Sequence, residues 1–125
     1  MSREARPHTL ITGSRVITLQ RSLELLRPVF EESSANTVFL FGDAEGPDTA
    51  ARMLARLMRF AYIEIGPPWA FDGNRGGLER NGWLVDLLPH THSRVVAVWD
   101  GRSGGTADAM RKARERGFDV EVLRG

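Results

Sequence analysis

Apolar and amphipathic runs alternate along the chain from one end to the other. HTLIT, at His8 to Thr12, reads as a short buried strand. Thr18 to Ser33 carries Leu19, Leu23, Leu26 and Phe30 near helical spacing and predicts a helix. Asn36 to Phe41, NTVFLF, is apolar along nearly its whole length and predicts a second strand. Pro47 to Phe60 places Ala50, Leu54, Leu57 and Met58 on one stripe and predicts a second helix, with Pro47 suited to its first turn. Tyr62 to Ile65 predicts a third strand. GPPWAFDGNRGG, Gly66 to Gly77, is dense in Pro and Gly and reads as loop. Leu78 to Leu88 predicts a third helix, with Trp83 filling core from its apolar face. RVVAVW, Arg94 to Trp99, is the apolar run expected of a parallel strand covered on both faces. Thr106 to Arg116 predicts a fourth helix closed by Gly117, and Asp119 to Leu123 a fifth strand.

Strand–helix alternation over the whole chain predicts an α/β fold of three layers, Rossmann-like, with a five-stranded parallel sheet and helices on both faces. The expected strand order is 3-2-1-4-5. In that order the first and fourth strands are neighbours, and the crossover direction reverses between them. The crevice at their carboxyl ends is where such folds bind ligands.

Composition narrows the class. The 125 residues suit one domain, which at this size buries roughly two-thirds of its chain surface. With no cysteine, disulfides and thiolate metal sites are excluded. No apolar run approaches the roughly 18 residues of a membrane span, and the first residues lack the apolar core of a signal peptide, so a cytoplasmic setting is expected. A net charge of +1 gives no general field for nucleic acid. Lys112 is the one lysine; every other basic side chain is arginine, which suits bidentate contact with phosphate but also follows from a GC-rich genome.

The expected topology gathers the candidate chemistry. Gly13-Ser14-Arg15 follows the first strand, and Asp100 to Thr106, DGRSGGT, follows the fourth. GDAEGPDTAAR, residues 42–52, follows the second strand and lies beside them. Glycines let backbone amides approach a phosphate, and a helix start presents unpaired N–H groups with partial positive charge. Ser14, Ser103 and Thr106 add hydroxyls, and Arg15 a charged fork. Taken singly, each loop is also an acceptable helix start, with Thr106 as the cap of the fourth helix. Together they form a site for an anionic ligand such as a nucleotide or sugar phosphate. Asp43, Glu45 and Asp48 repel phosphate; they suit sugar hydroxyls, an amine or a metal ion, and Asp48 alternatively complements a helix dipole. Arg80 and Asn81 sit near the start of the third helix, after a loop with Trp69, whose ring could stack on a base. His90 and His92 belong on the opposite rim and lack the acidic neighbours of a metal site. No motif calls for a metal or cofactor.

Four ordered motifs, TGSR, GDAEGPDTAAR, PPWAFDGNRGGLERNGWLVD and WDGRSGGTADAM, run from Thr12 to Met110, within a likeness that covers roughly Leu10 to Leu123. This pattern resembles the YspA branch of the SLOG superfamily, the Rossmann-like group that also holds the LOG phosphoribohydrolases and the DprA DNA-processing proteins. The resemblance implies a domain that binds a nucleotide or nucleotide-derived ligand, as a sensor or a processing enzyme, including in conflict systems of bacteria and phages; it also implies a homodimer. By position it implies a first ligand loop of Gly13, Ser14 and Arg15 and a second of Gly42, Gly46 and Asp48. It further implies an Arg80-Asn81 pair and a phosphate loop of Gly104, Gly105 and Thr106. LOG enzymes carry a glutamate after their Gly-Thr pair; Ala109 stands at that position here, with Asp108 one residue earlier and turned by about 100° on a helix.

Three functions follow as expectations. The first is a binding domain that senses or sequesters a nucleotide-derived ligand. The second is a nucleoside-monophosphate phosphoribohydrolase, with Arg80 holding substrate and Asp108 as the acid–base group, Asp43 and Glu79 being the other carboxylates in reach. The third is a DNA-binding module, against which the net charge counts.

Overall fold

The computed structural model describes residues 6–66 and 73–125, the side chains of 73–77 excepted. Among the described residues nine elements alternate in chain order: β1 (His8–Gly13), α1 (Leu19–Glu31), β2 (Val38–Phe41), α2 (Pro47–Leu57), β3 (Ala61–Glu64), α3 (Gly73–Asp86), β4 (Ser93–Trp99), α4 (Gly104–Glu115) and β5 (Val120–Arg124). The sheet is wholly parallel, in the order β3-β2-β1-β4-β5, as the alternation predicts. Among the described residues no helix is long and apolar enough to cross a membrane.

Side-chain alternation along the central strands builds two cores, because successive residues point to opposite faces. Ile11, Phe39, Phe41, Val96 and Val98 face α1 and α2. Leu10, Val38, Leu40 and Val95 face α3 and α4, where they meet Leu84, Val85, Leu88 and Ala113. Phe30 of α1 stacks on Phe39 with ring centroids 3.9 Å apart, and both are fully buried. Burying a side chain of that size stabilises by roughly 1.5–3 kcal/mol. The edge strands β3 and β5 are largely half-buried or exposed, since only one neighbour covers each.

Helix ends follow local chemistry. Thr18 caps α1, its hydroxyl accepting from the Arg21 N–H at 3.1 Å. Pro47 opens α2, where its missing N–H costs nothing. Gly117 follows α4 with φ 86°, the left-handed conformation that favours glycine.

Four sequence expectations are corrected. Helix α3 begins at Gly73 rather than Leu78, so part of the stretch read as loop is helical. Trp83 is 43% exposed, because α3 turns Asn81, Leu84 and Val85 inward and Trp83 lies about 100° around the helix from Leu84. Leu57 is exposed on the last residue of α2, just before the chain leaves the helix through Arg59 at φ 62°. Helix α4 starts at Gly104 with Ser103 as its N-cap, so Thr106 lies within the first turn and is not the cap.

Candidate functional site

The strand order decides where the loops meet. β1 lies between β2 and β4, and Gly13 pairs with Val98, so both central strands end at the same height. Immediately beyond them opens a cavity of about 850 Å³. The β1–α1 turn contributes Gly13, Ser14 and Arg15, and the β2–α2 turn Gly42, Ala44 and Asp48. Arg80 and Asn81 enter from α3, and Ser103 to Thr106 with Asp108 from α4. Segments far apart in the chain thus share one concave surface, the usual place for a ligand in this architecture.

Ser14 holds two of these segments together. It is buried, and its N–H donates to the Val98 carbonyl at 2.9 Å. Its hydroxyl donates to Asp100 Oδ1 at 3.2 Å, accepts from the Asp100 N–H at 3.2 Å, and lies 3.3 Å from the Thr106 hydroxyl. Asp100 in turn accepts from the N–H groups of Arg102 and Ser103 at 2.9 and 2.8 Å and from the Ser103 hydroxyl at 3.1 Å. The Ser103 and Arg102 N–H groups hold the Asp100 carboxyl at about 2, well below its ordinary 3.8. All three hydroxyls expected to meet a ligand are therefore engaged inside the protein.

That leaves the backbone as the donor surface. Ser103 makes no side-chain cap on α4, and no described side chain accepts from the Gly104 or Gly105 N–H. The first turn of α4 directs unpaired N–H groups and a partial positive charge to the cavity. Arg15 adds an exposed guanidinium that makes no ion pair with the described residues.

On the α3 side, Arg80 and Asn81 lie in mid-helix rather than near its start, and act through side chains alone. Arg80 Nη1 donates to Asp43 Oδ1 at 3.0 Å, while its Nε is buried with no acceptor among the described residues. Asn81 is buried and donates through Nδ2 to the Gly105 carbonyl at 3.1 Å and to Asp108 Oδ2 at 3.3 Å, which ties α3 to α4. Asp108 also pairs with Arg111 at 2.7 Å and Lys112 at 2.9 Å. Burial opposes its ionisation, yet Lys112, Asn81 and Arg111 together hold its carboxyl below the usual range. A carboxylate so paired keeps its charge and is a poor proton donor at neutral pH.

Asp48 is the opposite case. It is 6% exposed, in the first turn of α2, and its Oδ2 accepts from the Ala44 N–H at 3.1 Å. Burial pushes its carboxyl up from 3.8 to about 6, against the pull of the Ala44 N–H and the Arg80 guanidinium. Asp48 lines the cavity from the first turn of α2, whose N-cap is Gly46 without a side-chain cap bond.

Of the expected site residues, Asp43 and Gly46 do not line the cavity. Asp43 reaches the site only through Arg80. Gly46 has φ 73° and caps α2 against the β1–α1 turn, where a Cβ would press into the Ile17 carbonyl. Glu79 is exposed and outside the lining, and Ala109 is buried in the core. Trp69 lies outside the described residues. The sequence reading missed the role of Asp100. An aspartate two and three residues ahead of the amides it accepts is a turn signal, and it was available in DGRS. It also missed Leu78 and Leu84, which supply apolar wall. No family model matches the chain, and no curated protein matches it.

Proposed function

We propose that this chain binds a nucleotide or nucleotide-derived ligand in the cavity at the carboxyl rim and holds it without turnover, as a sensing or sequestering domain. One observation carries the reading. The uncapped first turn of α4, with Gly104 and Gly105 exposed, opens onto a cavity of about 850 Å³ that it shares with the β1–α1 turn and Arg80. Unpaired amides at a helix start favour a phosphate, and the apolar wall of Ile11, Leu78 and Leu84 suits a base or a sugar face.

The four sequence motifs support placing the chain in the YspA branch of the SLOG superfamily, which agrees with this ligand class. Glycosidic cleavage finds less support. Asp108 is ion-paired on both oxygens, and the position of the LOG glutamate is a buried alanine. DNA binding lacks the basic charge that phosphate-backbone affinity requires.

The test is a thermal-shift panel of AMP, ADP, ATP, ADP-ribose, NAD and cyclic dinucleotides, with chromatography of the same mixtures. A ligand at about 100 times its Kd adds roughly 2.7 kcal/mol of stability. A shift with the ligand recovered intact, and abolished in Arg80→Ala, is the expected outcome. Release of a free base would replace the binding reading with the enzymatic one. No shift with any nucleotide would remove the ligand reading.

A further inference from the structure

Apart from the ion pairs Arg80–Asp43 and Asp108 with Arg111 and Lys112, the polar groups of the cavity differ in sign from one end to the other. The start of α4 presents unpaired amides and the β1–α1 turn presents Arg15, all donors. The start of α2 presents one charged side chain to the cavity, the Asp48 carboxyl, which is buried in its wall. A phosphate fits the first region and is repelled by the second. The two regions follow β4 and β2, which lie on either side of β1. Two strand spacings put them on the order of 10 Å apart along the rim. A ligand that fills both ends must therefore be anionic at one end and a hydrogen-bond donor at the other, about a pentose further on.

We propose that Asp48 is the specificity-determining residue of this cavity, accepting hydrogen bonds from the vicinal hydroxyls of a ribose whose 5′-phosphate lies at the start of α4. This rests on the reading of the cavity as a nucleotide site and names the sugar it selects. A carboxylate has about four accepting sites; Asp48 gives two to the N–H groups of Ala44 and Gly42, which leaves two for the hydroxyls of a diol. Charge-assisted bonds of this kind are stronger than neutral ones, and a site built around a hydroxyl rejects the analogue that lacks it. The selected ligand is a ribonucleotide and not its 2′-deoxy counterpart.

The charged groups around Asp48 are Arg80 from α3, Asp43 from its own turn, Arg15 from the β1–α1 turn and Asp108 from α4. Arg80 is paired to Asp43, and Asp108 to Arg111 and Lys112, so none of these carboxylates competes with Asp48 for the diol. Above pH 6 Asp48 is charged and accepts through both oxygens; below it, the proton removes part of that capacity.

Titration calorimetry with matched ribonucleoside and 2′-deoxyribonucleoside 5′-monophosphates of the four bases tests this. At pH 7.5 the ribo form should bind roughly 10- to 100-fold more tightly than the deoxy form. The ratio should shrink as pH falls through 6; because both ligands carry the same phosphate, the phosphate's own proton cancels in it. In Asp48→Asn, confirmed folded by its melting curve, the ratio should fall towards one, with the deoxy form also weakened because its 3′-hydroxyl loses the same carboxylate. Equal binding of the two forms to the unaltered protein overturns the role of Asp48 and leaves the nucleotide site standing. Discrimination that survives Asp48→Asn at full size overturns it also. Binding of neither form overturns both.

Discussion

The Arg80 guanidinium lies directly against Gly42. A Cβ placed on Gly42 would stand 2.7 Å from Arg80 Cζ and Nη1 and 2.9 Å from Nε. Glycine at the end of β2 is therefore the space in which the arginine of α3 sits while it pairs with Asp43. Gly42→Ala should push the guanidinium aside. That group is the far end of a flexible side chain, so the cost to folding should be small, within about 1 kcal/mol. Nucleotide affinity should fall about tenfold or more. Calorimetry alongside a melting curve separates the two effects, and a large loss of stability with unchanged affinity would contradict this account.

Gly13→Ala should do the reverse. Its Cβ would stand 2.5 Å from Pro47 Cβ and Cγ and 2.9 Å from the Val98 carbonyl. A ring at a helix start and a strand carbonyl cannot swing away, so β1 and α2 must separate. Overpacking of this kind costs roughly 1–3 kcal/mol. Urea unfolding should show a lower midpoint, and an unchanged midpoint would mean that α2 shifts freely.

Asp48 stabilises nothing by its charge. Its folded-state value of about 6 lies above the ordinary 3.8, so the folded protein holds this proton over a range in which the unfolded chain has lost it. Stability therefore falls as pH rises from about 4 to 6, and the penalty is complete above 6. By linkage it amounts to about 3 kcal/mol. Asp48→Asn should raise stability at pH 7.5 by up to that amount, with the gain vanishing towards pH 4. A gain independent of pH would point to packing rather than ionisation.

Asp100 has the opposite sign. Its value of about 2 lies below 3.8, so its contribution is present above pH 4 and is lost as pH falls from about 4 to 2. Asp100→Asn should loosen the turn before α4, lower the melting temperature at pH 7, and match the unaltered protein as pH approaches 2. Hydrogen exchange at the Arg102 and Ser103 amides, which donate to Asp100, should speed up in the variant. Unchanged exchange there would show that the turn holds its shape without the carboxylate.

Much of this protein could be read from short-range pattern. The alternation of apolar strands with amphipathic helices sufficed for the order of the described strands and helices and for the strand order, because an apolar central strand and a striped helix each state their own environment. The loops at the carboxyl rim were legible for the same reason: once the order is known, the turns after β1, β2 and β4 must be neighbours. Trp83 and Leu57 were misplaced because helical spacing fixes which residues share a stripe but not how a helix is rolled against its sheet.

The chemistry of the site was decided by contacts between segments remote in the chain. Ser14 reads as a ligand hydroxyl in GSR, yet Asp100, 86 residues away, accepts its hydrogen bond. Asp108 reads as an acid, yet Asn81 and the next turn of its own helix hold it ionised. Asp48 reads as a helix-start carboxylate, and only its burial lifts it to about 6, against the pull of Arg80. Periodicity is a property of neighbours along the chain and survives without the fold. The state of a hydroxyl or a carboxyl depends on what surrounds it in space, and that surrounding exists only once strands and helices have packed.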